Sequence, residues 1–185
     1  MKKFLYEFIF FKIFGWKIIG NMNPEIKKSV IIVVPHTSWY DFFIGLFTRG
    51  ILGLQMNFVA KKELFIFPLN YYFKNIGGAP LNRGKNENKV DAIAKIFEER
   101  EEFRLAISPE GTRKKVSEWK SGFYYISLKA NVPIIPVAFD YENKEVKLFE
   151  PFYPTKNKET DFKFLHNLFD GIKGKKPENS FFLKK

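Results

Sequence analysis

Polar and apolar positions alternate along the chain in two distinct rhythms. From Ser29 to Val34 every residue after the serine is apolar and β-branched, the pattern of a strand buried on both faces. Between Asn88 and Arg100 the rhythm changes to a helical one, with Val90, Ile93, Ala94 and Phe97 at i, i+3, i+4 and i+7. Shorter strand patterns cover Trp16–Ile19, Asn57–Ala60, Arg104–Ile107, Ile134–Phe139 and Glu145–Phe149, and helical ones cover Trp39–Thr48 and Lys120–Ala130. Strands alternating with helices predict βαβ units, hence an α/β fold with a mainly parallel sheet and helices on both faces. One domain over residues 16–185 accommodates all of this, preceded by an apolar N-terminal helix over residues 1–15. From Pro151 the pattern weakens. The tail holds Phe162, Phe164, Leu165, Leu168 and Phe169, then Gly171, Gly174 and lysine-rich turns.

The N-terminal stretch, Met1 to Ile19, opens on Lys2-Lys3 and runs through Phe4, Leu5, Phe8, Ile9, Phe10, Phe11, Ile13 and Phe14, interrupted by Glu7 and Lys12. A positive start before an apolar run is also the outline of a signal peptide, but the small-residue cleavage pattern is missing. Its polar positions do not gather on one helical face, so it predicts a short helix that lies in a membrane interface or packs on the domain. No uninterrupted apolar run is long enough for a transmembrane span.

Composition narrows the chemistry. The 185 residues carry 31 Lys plus Arg against 20 Asp plus Glu, a net charge of +11, together with 23 Phe. The absence of Cys excludes a disulfide scaffold, a thiolate metal site and a cysteine nucleophile, and two His argue against a histidine-built metal cluster. A chain both basic and phenylalanine-rich suits an anionic partner with an apolar side. A lipid surface fits, and so does single-stranded nucleic acid with base stacking.

Four blocks carry candidate chemistry. Pro35-His36-Thr37-Ser38-Trp39-Tyr40-Asp41 follows the buried strand directly, at a strand's carboxyl end, where open parallel sheets gather ligands. A histidine there can act as general base, and a nearby carboxylate can hold its tautomer. His36 and Asp41 would stand about 140° apart on an ideal helix, so they meet only if the chain turns first and the helix begins near Ser38. Ser38-x-x-Asp41 also reads as a variant capping box, in which Asp41 only supports the helix start. The second block is Ser108-Pro109-Glu110-Gly111-Thr112-Arg113-Lys114-Lys115, again after a strand, and equally readable as a solvated basic loop. The third, Ile76-Gly77-Gly78-Ala79-Pro80-Leu81-Asn82-Arg83-Gly84, suggests a tight backbone delivering one cation. The fourth, Val132-Pro133-Ile134-Ile135-Pro136-Val137, is an apolar strand whose prolines predict a start or a bulge. No P-loop, dinucleotide fingerprint, serine elbow, metal-ligand spacing or RNP-type aromatic signature is present.

Taken in order, the four blocks resemble the glycerolipid acyltransferase family, in its lysophosphatidate acyltransferase-like branch. H-x-x-x-x-D is His36 to Asp41, a glycine block ending in Arg is Gly77 to Arg83, P-E-G-T-R is Pro109 to Arg113, and V-P-I-x-P-V is Val132 to Val137. The set spans residues 30–140, and Ala60-Lys61-Lys62-Glu63-Leu64 followed by Pro68 resembles the family's stretch between the first two blocks. Ser108 departs from it, standing where an aromatic is common.

The resemblance implies a glycerol-phosphate acyltransferase-like fold. It also implies transfer of a fatty acyl group from a thioester to the hydroxyl of a lyso-lipid, with His36 as base and Asp41 orienting it. Arg83, Arg113 and Lys61 would neutralise the acceptor's phosphate. Glu110 and Gly111 would shape the loop, Glu110 orienting Arg113 or meeting acceptor hydroxyls, and Thr112 would touch backbone or phosphate. No bound cofactor or metal is implied; acyl-CoA or acyl-carrier protein enters as co-substrate. The implied setting is peripheral or monotopic on a membrane, at the cytoplasmic face, with no nucleic acid. Lysophosphatidate is the expected acceptor, with another lysophospholipid or a lyso-aminolipid as the alternative and a basic nucleic-acid-binding domain as the remote one. His166, in the phenylalanine-rich tail, is expected to lie outside the site.

Overall fold

A computed structural model of the chain describes residues 2–67, 69–81 and 88–182. Five strands form the main sheet: β1 (Lys17–Ile19), β2 (Lys28–Val34), β5 (Phe103–Ile107), β6 (Ile134–Asp140) and β7 (Glu145–Leu148), in the order β1-β7-β6-β2-β5. The pairs β1–β7, β6–β2 and β2–β5 are parallel, while β6 and β7 form an antiparallel hairpin. A smaller parallel pair, β3 (Phe58–Lys61) and β4 (Gly78–Leu81), hangs beside β5. Buried Asn57 attaches it: its N–H donates to Arg104 O, its carbonyl accepts from Ala106 N, and its side-chain amide donates to Gly77 O.

The expected two-sided burial of β2 has a direct cause. It lies between β5 and β6, and its side chains alternate between two cores. Val30, Ile32 and Val34 enter one, and Ile31 enters the other. β6 does the same, sending Ile134 and Ala138 to the first core and Ile135, Val137 and Phe139 to the second. The first core is closed by α4 (Lys89–Glu99) through Ile93 and Phe97, by α5 (Gly122–Ala130) through Phe123, Tyr124 and Ile126, and by α6 (Lys158–Leu168) through Leu165. The second is covered by α2 (Tyr40–Leu52) and the N-terminal helix. Helices therefore lie on both faces, as the alternation predicts.

Pro136 is accommodated by a bulge. Between the pairs Val137↔Leu148 and Ile134↔Phe152, β6 advances three residues while the facing segment advances four. The extra residue lets the neighbour leave where proline has no N–H to give.

The N-terminal segment is helical, α1 (Lys2–Glu7) running into a π-helical turn over Phe8–Ile13. Phe10 is fully buried against Trp16 and Phe47, and Tyr6 meets Phe47 edge-on. Gly50 of α2 makes room for this packing, since a Cβ there would stand 2.3 Å from Tyr6 Cδ2. Phe4, Leu5, Phe8, Ile13 and Phe14 stay exposed, Phe4 at 74%. No helix among the described residues is long and apolar enough to cross a membrane.

Two helices lie outside the sequence expectation. α3 (Leu69–Asn75) precedes β4, and α6 occupies the stretch where the pattern weakens. α6 is specified by long-range polar contacts. Its buried Asp161 accepts from Tyr124 Oη at 2.9 Å and from Thr155 N and Oγ1, while Asn157 caps the helix through Thr160 N.

Candidate active site

β2 delivers the chain to the sheet's carboxyl edge at Val34, and the turn that follows is built inward. Thr37, Ser38 and Asp41 are buried, the last at 3% exposure. α2 begins only at Tyr40, so His36 lies on the turn before it and can face Asp41 in the helix's first turn. His36 Nδ1 stands 3.0 Å from Asp41 Oδ2. The same oxygen accepts from Thr37 N and Ser38 N, both at 2.9 Å, while Ser38 Oγ accepts from Tyr40 N. The capping and histidine-orienting roles are thus filled by one carboxylate at once. Its other oxygen accepts from Tyr141 Oη at 2.7 Å. A carboxylate with four donors around it is held in one orientation. In the tautomer whose Nδ1–H donates to Asp41, Nε2 carries the lone pair a base requires.

Tyr141 was not among the sequence candidates. It follows β6 and so also sits at a strand's carboxyl end, the one signal that could have found it. Burial, then the bond to Asp41, pushes its phenol above the ordinary range, so it stays a donor.

Glu110 takes a role that the sequence reading did not contain. Its Oε2 accepts from the His36 backbone N–H at 2.6 Å and from Ser108 Oγ at 3.4 Å. Among the described residues it forms no ion pair with Arg113. It is 2% exposed, and its Oε1 has no partner among the described residues. Burial pushes its carboxyl up to about 7, against the pull of the His36 N–H. Ser108, the residue that departs from the family pattern, thus supports Glu110.

The rest of that loop faces outward. Gly111 has φ +65, and a Cβ there would meet the Lys120 side chain at 2.7 Å, two reasons for glycine. Thr112 and Arg113 are exposed, and Thr112 Oγ1 accepts from Lys114 N. Lys61 ends β3, but its side chain, and the whole of Arg83, lie outside the described residues. His166 is half-buried among the rings of Trp119, Phe162 and Phe181, and burial lowers its pKa. It packs with the first core, away from this site.

From His36 and Asp41 a cavity of about 360 Å³ runs between α2 and the sheet. Val33, Gly45, Leu46, Met56, Val137 and Phe139 make its wall almost wholly apolar. Gly45 turns no side chain into it, and Arg49 closes one part by donating to the carbonyls of Asn75 and Ile76. A histidine base at the mouth of an apolar pocket can deprotonate a hydroxyl while a hydrocarbon chain lies beyond it.

This chain belongs to the acyltransferase family: the family model described as Acyltransferase matches residues 17–140, which include β1, the His36–Asp41 turn, the Glu110 loop and β6. It is similar to human 1-acyl-sn-glycerol-3-phosphate acyltransferase beta, 28% identical over 161 residues, covering 84% of this chain and 54% of that protein. A probable 1-acyl-sn-glycerol-3-phosphate acyltransferase of Mycoplasma pneumoniae is 34% identical over 140 residues, 70% of this chain and 51% of that one. The chain therefore spans about half the length of these two relatives. The crystal structure of the 1-acyl-sn-glycerophosphate (LPA) acyltransferase PlsC from Thermotoga maritima shares the fold, with a TM-score of 0.59 at 21% identity, over 90% of this chain and 74% of that one.

Proposed function

We propose that the protein is an O-acyltransferase that moves a fatty acyl group from a thioester to the free hydroxyl of lysophosphatidate, giving phosphatidate for phospholipid synthesis. The observation that carries this reading is the His36–Asp41–Tyr141 arrangement at the mouth of an apolar cavity. His36 Nε2 takes the hydroxyl proton as the oxygen attacks the thioester carbonyl. Asp41 stabilises the imidazolium that forms. The tetrahedral intermediate collapses, the C–S bond breaks, and His36 returns the proton to the departing thiolate. The substrates supply every reacting atom, so neither a covalent enzyme intermediate nor a bound cofactor is required. Acyl-CoA and acyl-carrier protein both satisfy the donor chemistry.

Arg113, Arg83 and Lys61 would neutralise the acceptor's phosphate, with Thr112 and the Gly111 turn presenting the loop. The exposed N-terminal Phe4, Leu5, Phe8, Ile13 and Phe14, beside Lys2 and Lys3, suit a helix lying in the interface of an anionic membrane. Peripheral or monotopic association at the cytoplasmic face follows from that reading.

A second acceptor class has one observation in its favour. Trp39, Tyr40, Phe42 and Phe43 form an exposed aromatic shelf beside the base, with Trp39 and Tyr40 stacked at 4.1 Å. Such a shelf suits a lyso-lipid whose headgroup is not a bare phosphate.

The deciding experiment is acyl transfer from acyl-CoA and acyl-carrier protein to a panel of lyso-lipids in vesicles, read by mass spectrometry. Phosphatidate should accumulate from lysophosphatidate with the wild type and not with His36→Ala. Product from phosphate-free acceptors at the same rate would replace lysophosphatidate by the second class. No product from any lyso-lipid would overturn acyl transfer.

A further inference from the structure

After α6 the chain turns back toward the carboxyl edge of the sheet. Residues 171–176, Gly-Ile-Lys-Gly-Lys-Lys, lie as a strap across the His36–Asp41 turn. Three contacts seat it. Tyr141 N donates to Lys173 O at 2.9 Å. Lys176 N donates to Thr37 Oγ1 at 3.1 Å. Gly174, itself buried, packs so closely that a Cβ would stand 2.6 Å from Thr37 Oγ1 and 3.2 Å from Pro35 Cβ. Its N–H is bonded to the fully buried Ser180 Oγ, which holds the strap from behind. The strap thus touches both sides of the catalytic arrangement: the turn that carries His36 and the residue that bonds Asp41.

The strap's lysines part company. Lys173 turns to Glu142 and pairs with it at 2.6 Å. Lys175 is exposed and stands with its ammonium 5.2 Å from the Tyr40 ring centre and 5.9 Å from that of Tyr141. Among the described residues no carboxylate pairs with it. Two aromatic faces hold a cation in place without neutralising it. Tyr141 is also the donor to Asp41, so a single ring separates this cation from the carboxylate that orients the base.

We propose that Lys175, presented by the strap on Tyr40 and Tyr141, is a phosphate-binding residue of the active site. It holds a phosphate of one substrate while the reacting groups meet at His36. This rests on the acyl-transfer reading. The shared chemistry is a phosphate ester oxygen, and two sources carry it: the acceptor's headgroup, or the phosphates of the donor's coenzyme or carrier arm.

The test uses the full chain and separates those sources. Acceptor kinetics compare lysophosphatidate with the monoacylglycerol that lacks its phosphate. Donor kinetics compare acyl-CoA with the phosphate-free acyl N-acetylcysteamine thioester. Lys175→Gln should raise KM for the phosphate-bearing member of one pair about tenfold, the weight of one charge-assisted contact. The preference of that pair for phosphate should fall by the same factor, more steeply in Lys175→Glu, and be rescued by Lys175→Arg. Loss in the acceptor pair assigns the site to the headgroup, and loss in the donor pair assigns it to the coenzyme. An unchanged preference in both pairs overturns the proposal.

Calorimetric titration with hexanoyl lysophosphatidate and with CoA reads the same site without turnover. If the wild type acylates no lipid, the proposed function fails, but the titration still decides this inference. Weaker binding of either probe by Lys175→Gln supports it, and equal binding of both sinks it. Equal melting temperatures of wild type and variant exclude a folding defect.

Discussion

The turns that leave β2 and β5 stand side by side at the same edge of the sheet, yet they are built in opposite ways. The turn after β2 is buried through Thr37, Ser38 and Asp41, and its carboxylate is surrounded by four donors. The turn after β5 buries Glu110 and then exposes every residue from Gly111 to Lys115. Proton transfer needs a base and its orienting group held within fractions of an ångström, which only buried, saturated hydrogen bonding supplies. Holding a phosphate needs cations that remain hydrated until the ligand arrives, because burying them unpaired is costly. Glu110 joins the two: it belongs to the second turn, but its carboxylate grips the backbone of the first.

That contrast can be broken at its centre first. His36→Ala should lower the rate of acyl transfer by about 10²–10⁴-fold, the contribution of a positioned general base, with the melting temperature unchanged. A rate within tenfold of wild type would remove His36 from the chemistry. Asp41→Ala should do both kinds of damage. It should cost about 3 kcal/mol in urea unfolding, since it strands buried donors at Thr37, Ser38 and Tyr141, and it should depress the rate as well. Tyr141→Phe removes only one of those donors, so its stability cost should be about 1 kcal/mol.

Glu110 sharpens the comparison through pH. Its carboxyl titrates near 7 in the folded chain against an ordinary 4.5. The native state therefore holds this proton where the unfolded chain has released it. Its contribution to stability is complete below pH 4.5 and is lost as pH rises through 7. Glu110→Gln has no such proton to lose, so the fall in unfolding free energy between pH 4.5 and 8 should shrink on the order of 2–3 kcal/mol relative to wild type. Parallel pH profiles for the two proteins would place the burial penalty elsewhere. The amide can still accept from His36 N–H, which keeps this variant folded and informative.

The smallest effects belong to the exposed turn. Gly111→Ala forces a side chain into positive φ and against Lys120, and should cost about 1 kcal/mol. Arg113→Gln should leave unfolding within about 0.5 kcal/mol of wild type while raising KM for a phosphate-bearing acceptor. A large stability loss with unchanged KM would make Arg113 structural and dissolve the division between the turns.

Much of the scaffold was legible because it follows from local rules. The β-branched run of β2 announced a strand buried on both faces, and Val90, Ile93, Ala94 and Phe97 announced the face by which α4 meets the sheet. The two prolines near β6 announced an irregularity, realised as a bulge in the neighbouring chain. α6 was hidden because its first turns are charged, and the buried side chain that fixes it, Asp161, finds its partner on Tyr124. α3 and β4 were hidden in a segment short of periodic signal. Within the site, the placement of His36 and Asp41 after a buried strand was readable, as was the need for glycine at 111. Of the two roles expected for Glu110, the pairing with Arg113 is not formed among the described residues; its partner lies at His36, a backbone group with no sequence signature.

Spacing, alternation and motif order were thus enough to settle a mainly parallel α/β fold, the strand-end location of His36 and Asp41, and membership of a family. These follow from the chain's local stereochemistry, since strand and helix periods and turn requirements act over a few residues. The tertiary structure alone decided what reaches the Asp41 turn from afar. Tyr141 reaches it from one hundred positions away, and the strap through Gly174 and Lys175 closes over Thr37 from farther still. Hydrogen bonds and packing at such separations depend on which surfaces the folded sheet brings together, and no local pattern encodes that.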